Sequence, residues 1–425
     1  MTRASLNNKI LYYVVMFCCF AITLPPFFKT LSLFLLFIAL IATGEIKKTK
    51  IEKGFWSFYN PLLISVLLYL IYCIGMLYTQ DLAYGLQDLQ IKLPLLVLPI
   101  LMLFLPKSLL AKDKLWSYAS AFMAGLILIM LCCVVKGFAK AFSGETFNIQ
   151  PLTYAALSGK LGVSPAYMAL AITISILLLY KKPIAKIFNI TPLLAKIIRI
   201  CVFGFLVLFL IFLKSKAGWL CFYFTNLSLI IDLIIKRKMI RFIGFVIVLL
   251  GIIFIVANFN ILSDRYKAFI VQKHNHSETF NNSISERQII YSHYPELFVQ
   301  NLPFGVGTGD TRGEMSDCLI KRFGVENIFL NAHNQFLQTA IAIGTPGLLT
   351  LLWLYLIFVI KFWNKQQWWL ISIVAICGIS MLFESMLERQ QGVFYFVFVI
   401  CLLYPLIQNN KGNYSEDSSA LSTDE

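Results

Sequence analysis

Apolar runs long enough to cross a bilayer recur along nearly the whole chain of 425 residues. A spanning helix needs roughly 17–25 such residues. Runs on this scale cannot all hide in one aqueous core. Apolar residues and Tyr make up 59% of the sequence and charged residues 13%, where soluble domains carry roughly 45–50% and about 25%. Hydrocarbon offers backbone N–H and C=O groups no water, so each run must satisfy them internally, as a helix. The runs predict spans near 9–25, 29–45, 61–79, 92–106, 115–137, 164–180, 195–213, 217–235, 241–260, 336–360, 367–386 and 392–408. The fourth contains Pro94 and Pro99, whose freed backbone groups need partners on neighbouring helices. The first run is not read as a cleaved signal, because Pro25-Pro26 leads directly into another apolar run.

The expected fold class is therefore all-α: a polytopic integral membrane protein of about 12 transmembrane helices. Residues 1–260 hold the first nine, 261–335 a long, partly helical loop, and 336–408 the last three. The Ser-, Asp- and Glu-rich tail 409–425 is expected to be disordered. Placing the N-terminus inside puts 21 of the 36 Lys and Arg residues in inside segments. The bias sets both termini on the cytoplasmic side and the long loop outside. The net charge of +15 is mostly this bias. It implies membrane lipids as partners and gives no reason to invoke nucleic acid. Nine of the ten Cys lie in apolar runs, with Cys318 alone in the long loop, so no disulfide framework is implied.

All four His fall in that loop: His274, His276, His293 and His333. Ser283-Ile-Ser-Glu286 fits a capping box. It predicts a helix over about 284–301, kinked near Pro295, with Arg287, Tyr291 and Tyr294 on one face. A glycine-bearing turn follows, Leu302-Pro-Phe-Gly-Val-Gly-Thr-Gly309. It lacks the Lys-Ser/Thr ending of a nucleotide loop and reads as turn geometry. Asn331 can cap the tenth span, which would put His333 in its first turn. His274-Asn-His276 is weak spacing for a metal and reads as solvated loop.

Four stretches together resemble the signature of the O-antigen ligase and polymerase family. They are Ser285-Glu-Arg287, Pro303-Phe-Gly-Val-Gly-Thr-Gly309, Ala332-His-Asn-Gln-Phe-Leu-Gln338 and Gly344-Thr-Pro-Gly-Leu348. Leu213-Lys-Ser-Lys-Ala-Gly218 resembles the family's Ser-Arg-Gly-like motif, with Lys216 in place of Arg. Lys lacks the bidentate fork of Arg. Glu384-Ser-Met-Leu-Glu-Arg-Gln-Gln-Gly392 resembles its last outer turn, with Glu384 and Glu388 expected on one helix face. The resemblance covers roughly the second half of the chain. It implies a membrane glycosyltransferase that takes a glycan from undecaprenyl pyrophosphate.

Such a reaction must stabilise a leaving pyrophosphate and deprotonate an acceptor. The sequence has no Asp-x-Asp pair to hold a divalent metal, so cationic side chains take that role and neither metal nor cofactor is expected. Lys214 and Lys216 stand in a very short outer turn, against the positive-inside bias. Arg287 and Arg312 complete the pyrophosphate set, with Arg265 in support. His333 matches the family's catalytic base, and Asn334 could orient substrate or cap the helix. Glu384 and Arg389 are further supporting candidates. The expected activity is metal-independent, inverting transfer to a lipid or glycan acceptor, most directly lipid A-core, at the periplasmic face of a bacterial inner membrane. A polymerase of the same family is the alternative. A secondary transporter or flippase is the alternative from another class. It is disfavoured because the predicted spans look almost free of ionisable residues.

Overall fold

The computed structural model describes residues 3–48, 56–143, 150–181, 190–235, 283–323 and 331–408. Among these residues the regular structure is helical throughout. The main helices are α1 (Arg3–Ala21), α2 (Pro26–Thr43), α3 (Pro61–Gly75), α4 (Leu82–Lys92), α5 (Pro94–Leu103), α6 (Lys112–Ala141) and α7 (Pro165–Lys181). They continue with α8 (Pro192–Leu213), α9 (Lys216–Ile235), α10 (Ser283–Gln300), α11 (Thr311–Phe323), α12 (Gln335–Asn364), α13 (Trp368–Phe383) and α14 (Gln390–Gln408). Among the described residues, seven helical stretches are long and apolar enough to cross a membrane, and four shorter helices are apolar as well. The chain is a multi-pass, all-helical membrane protein. The expected span 241–260, Arg265, His274, His276 and the 409–425 tail lie outside the described residues.

Helix starts follow local chemistry. Proline opens α2, α3, α5 and α8, where its missing N–H costs nothing. The Asn60 side chain accepts from Leu62 N–H at 3.0 Å, and Thr191 accepts from Leu194 N–H at 3.3 Å. The centre of the bundle is α14, with 89% of Gln390–Ile407 buried. It touches α3, α5, α7 and α13, so its residues meet protein rather than lipid.

Proline also explains two departures from straight helices. Pro99 inside α5 cannot donate to Leu95 C=O, and Ser65 Oγ donates to that carbonyl at 2.9 Å instead. Pro346 inside α12 likewise abandons Ala342 C=O, and α12 breaks at Ile343 and Gly344. The glycine turn fills the gap. Gly307 N–H donates to Ala342 C=O at 3.0 Å, and Val306 N–H donates to Ile341 C=O at 2.9 Å. In return Thr345 N–H donates to Pro303 C=O at 2.8 Å. The loop is thus stitched into a broken helix, and the carbonyls of Ile341 and Ala342 find donors there.

The fourth span differs from expectation. Helical structure runs over Leu82–Leu103, starting ten residues before the expected 92. Pro94 takes the first position of α5 while Leu93 stays α-helical (φ −51°, ψ −34°), so the proline does not end the stretch. Asp88 and Lys92 are thereby drawn into the buried bundle. The expectation that spans are almost free of ionisable residues is corrected here.

Gly344 has φ +67° and ψ −157°, and a Cβ there would run into the Pro303 carbonyl. Gly344→Ala should lose about 1–3 kcal/mol from backbone strain alone. Gly204→Ala, with nothing within 4 Å, should not lose stability. Thermal unfolding of the two purified variants checks this, and equal midpoints would show that the break is not required.

Candidate functional site

His333 lies just before α12. Asn334, not Asn331, is the N-cap: its side chain accepts from Phe336 N–H at 2.9 Å and Leu337 N–H at 3.2 Å. His333 is therefore outside the first turn, correcting that expectation. It adopts φ +45°, a left-handed conformation that His tolerates better than most residues. Asn331 has a different task, accepting from His333 N–H at 2.9 Å. The Tyr291 hydroxyl lies 3.3 Å from His333 C=O and 3.3 Å from Leu382 C=O. Its single proton serves one carbonyl at a time, but either contact ties α10 to this corner. Gln338 Oε1 accepts from Ala332 N–H at 2.8 Å. Three side chains thus fix the backbone on both sides of the imidazole.

The α10 helix forms close to where the capping box predicts it. Tyr294 is buried with Ile290, Leu297, Met315, Ala332 and Ile341, while Tyr291 is partly exposed on the His333 side. Arg287 sits on α10 one turn before Tyr291.

The glycine turn brings the next candidate into place. Thr308 Oγ1 donates to Tyr72 C=O at 2.7 Å, and Gly309 N–H donates to Thr79 Oγ1 at 3.1 Å. The Asp310 carboxylate accepts from the N–H groups of Gln80 and Asp81 at 2.8–3.0 Å. The Tyr78 hydroxyl donates to Phe304 C=O at 2.6 Å, and burial raises its pKa, so it stays a donor. With its N–H groups engaged in protein bonds, the turn serves as structure. It delivers Arg312 to the start of α11, where the guanidinium lies 5.7 Å from the Tyr84 ring centroid.

Lys214 ends α8 in a left-handed conformation (φ +46°), and Lys216 opens α9. Ser215 between them accepts from Gly218 N–H at 3.2 Å. Further along α9, Cys221 Sγ lies 3.4 Å from Ser380 Oγ on α13. Lys216 precedes Cys221 by about 7–8 Å of helix rise, and Glu384 follows Ser380. The Lys hairpin is therefore at the same end of the bundle as Glu384. So is the start of α7, because Tyr167 feels the charges of Glu384, Arg389 and Glu388.

Glu384 and Glu388 do not share a helix face. α13 stops at Phe383, Glu384 is extended (φ −143°, ψ +138°), and Met386–Glu388 form a separate 3-10 turn. Glu388 turns inward. Its Oε1 lies 2.8 Å from Lys92 Nζ, which also pairs with Asp88 and lies 4.7 Å from the Tyr72 ring centroid. Tyr72 OH lies 3.2 Å from Thr339 Oγ1, and Gln335 Nε2 donates to that oxygen at 2.9 Å. Gln335 Oε1 accepts from Leu387 N–H at 2.6 Å. A polar chain thus runs from the first turn of α12, two residues past His333, to a buried ion triad. Sequence reasoning missed Asp88, Lys92, Gln335 and Thr339. Their signal was i,i+4 spacing of polar groups within apolar helices.

A cavity of about 360 Å³ lies at the opposite end, among Trp116, Lys365, Trp369 and Leu406. It holds none of the candidate residues. No group of three or more His, Cys, Asp or Glu side chains fit to hold a metal occurs among the described residues.

Residues 201–352 match the family model described as O-antigen ligase. Over this stretch the chain is similar to the O-antigen ligase family. The matched stretch contains Lys214, Lys216, Arg287, Arg312, His333 and Asn334. The buried triad and the Glu384–Arg389 segment lie outside it, yet they abut it through Gln335. No curated protein matches the chain.

Removing Lys92 would strand two buried carboxylates, so Lys92→Ala should cost about 3–5 kcal/mol. Replacing the whole triad by Lys92→Met, Asp88→Asn and Glu388→Gln should recover most of that loss. Denaturant or thermal unfolding of both proteins measures the difference. A neutral Lys92→Ala would mean that the triad is not bound together in the folded state.

Proposed function

We propose that this protein transfers a glycan from undecaprenyl pyrophosphate to a lipid A-core acceptor at the periplasmic face of a bacterial inner membrane, with both termini cytoplasmic. The observation that carries this reading is the setting of His333. It stands in a left-handed backbone at a helix start, fixed by Tyr291 and Asn331, inside the stretch that matches the family. Backbone strain of this kind gathers at functional sites.

In this reading the acceptor O–H gives its proton to the His333 imidazole, a group suited to proton transfer near neutral pH. The acceptor oxygen attacks the anomeric carbon as the bond to the carrier breaks. The electron pair leaves on the pyrophosphate, and configuration inverts. Lys214, Lys216, Arg287 and Arg312 stabilise that leaving charge, a role that needs cations rather than a metal. Lys216 stands where relatives carry Arg, so it contributes a point charge without a bidentate fork. Asn334 serves as the helix cap, and Glu384 and Arg389 support the site from the neighbouring turn.

A polymerase would use the same chemistry with a second carrier-linked glycan as acceptor. The transporter alternative loses its strongest counter-argument now that Asp88 and Lys92 are buried in the bundle. Those ions are nonetheless in direct mutual contact, rather than lining an open path.

Cells lacking their own ligase provide the test. Wild type should cap the acceptor, and His333→Ala at equal membrane abundance should lose on the order of 10²–10⁴-fold activity and accumulate carrier-linked glycan. Chain lengthening without capping would replace the ligase by the polymerase. Undiminished transfer by His333→Ala would remove the base assignment.

A further inference from the structure

Lys29 stands in the first turn of α2, is 0% exposed, and its Nζ has no hydrogen-bond partner among the described residues. Its neighbours Phe27 and Phe28 face outward, so this lysine does not snorkel to the surroundings as an ordinary anchor would. The helix instead turns it over the Tyr395 ring of α14, 5.7 Å from the centroid. A cation–π contact offsets only part of the cost of burying an ammonium. The N-terminal end of α2 makes matters worse, since its dipole disfavours a cation and favours an anion.

The surroundings repeat the pattern. The Tyr395 hydroxyl and Gln391 Nε2 are also buried, facing each other, with no bond to any further group among the described residues. Gln391 and Tyr395 are one turn apart on α14, on one face. Ser164 N–H donates to Gln391 Oε1 at 3.1 Å, which occupies the acceptor end of that amide and turns its donor end toward Tyr395. An ammonium, an amide N–H₂ and a phenol O–H therefore share the seam between α2 and α14. An exposed bond from Gln390 Nε2 to Thr30 Oγ1, 3.1 Å long, bridges the same seam.

We propose that Lys29, Gln391 and Tyr395 form a binding site for a phosphate oxyanion carried by a lipid headgroup. An ammonium without a partner, beside an amide and a phenol that face only each other, calls for an acceptor-only ligand with several oxygens. The site lies at the ends of apolar helices, where headgroup phosphates are the abundant anion. This inference does not rest on the glycan-transfer reading.

The test uses the full chain purified in an uncharged detergent, with thermal midpoint followed against dioleoylphosphatidylglycerol, dioleoylglycerol or inorganic pyrophosphate. Phosphatidylglycerol should stabilise wild type saturably, and the phosphate-free dioleoylglycerol should not. Lys29→Met should weaken that response by about ten-fold or more. Lys29→Arg should stay within a few-fold of wild type, as should His333→Ala and the exposed-surface control Lys48→Met. Lys29→Met leaves no buried counter-charge behind and should fold; should it not, Gln391→Leu combined with Tyr395→Phe carries the same readout. Unchanged phosphatidylglycerol binding in these variants overturns the site. A Lys29-dependent response to pyrophosphate alone overturns the headgroup as its source.

Discussion

The break in α12 is the constraint on which the rest of the site depends. A proline in a buried helix leaves a carbonyl without its donor, and in a low-dielectric interior that vacancy must be filled. Here Pro346 frees Ala342 C=O, and a segment distant in sequence supplies Gly307 N–H. The exchange is reciprocal, since Thr345 N–H and its hydroxyl both reach Pro303 C=O. Thr308 and Asp310 extend the same turn to the α3–α4 corner. The loop, that corner and the start of α12 are thereby one block. His333 is held at its edge by backbone geometry rather than by a flexible tether.

Two buried lysines show how differently the fold treats a cation. Lys92 meets two carboxylates and an aromatic face, and the hydroxyl of that ring, Tyr72, leads through Thr339 to Gln335. Such a group specifies how α3, α4, α12 and the Met386–Glu388 turn meet, because any other arrangement strands a charge. Lys29 meets an aromatic face and no carboxylate among the described residues. The first arrangement is complete within the chain, whereas the second is not.

Much of the architecture could be read from hydropathy alone, because the bilayer turns long apolar runs into helices whatever their detailed sequence. The loop helix was equally readable, since Ser283 and Glu286 announce it. Expectation failed where tertiary contacts overrule local signals. The fourth span was expected to begin near 92, yet α4 continues into α5 because Leu93 keeps helical geometry. Asn331 and Asn334 are both plausible caps, and only the fold shows that Asn334 caps while Asn331 holds His333. Glu388 seemed to share a helix face with Glu384, but the chain leaves the helix between them to reach Lys92. The partners of Lys92 are 4 and 296 residues away in sequence, and nothing local marks the second.

The electrostatics of one end of the bundle follow from these placements. The N-termini of α2, α7, α9, α12 and α14 gather there, and none has an acidic residue in its first turn. Each contributes a partial positive charge from its aligned peptide dipoles. Lys29 and Lys216 add full charges at two of these termini, where a helix on its own would favour an acid. Among the carboxylates nearby, Asp88 and Glu388 are committed to Lys92, and Glu384 shares its surroundings with Arg389 and Tyr167. Cations kept where the helix dipole opposes them are a cost to folding without an anion. With a phosphate or pyrophosphate at that end, dipoles and side chains act in the same direction.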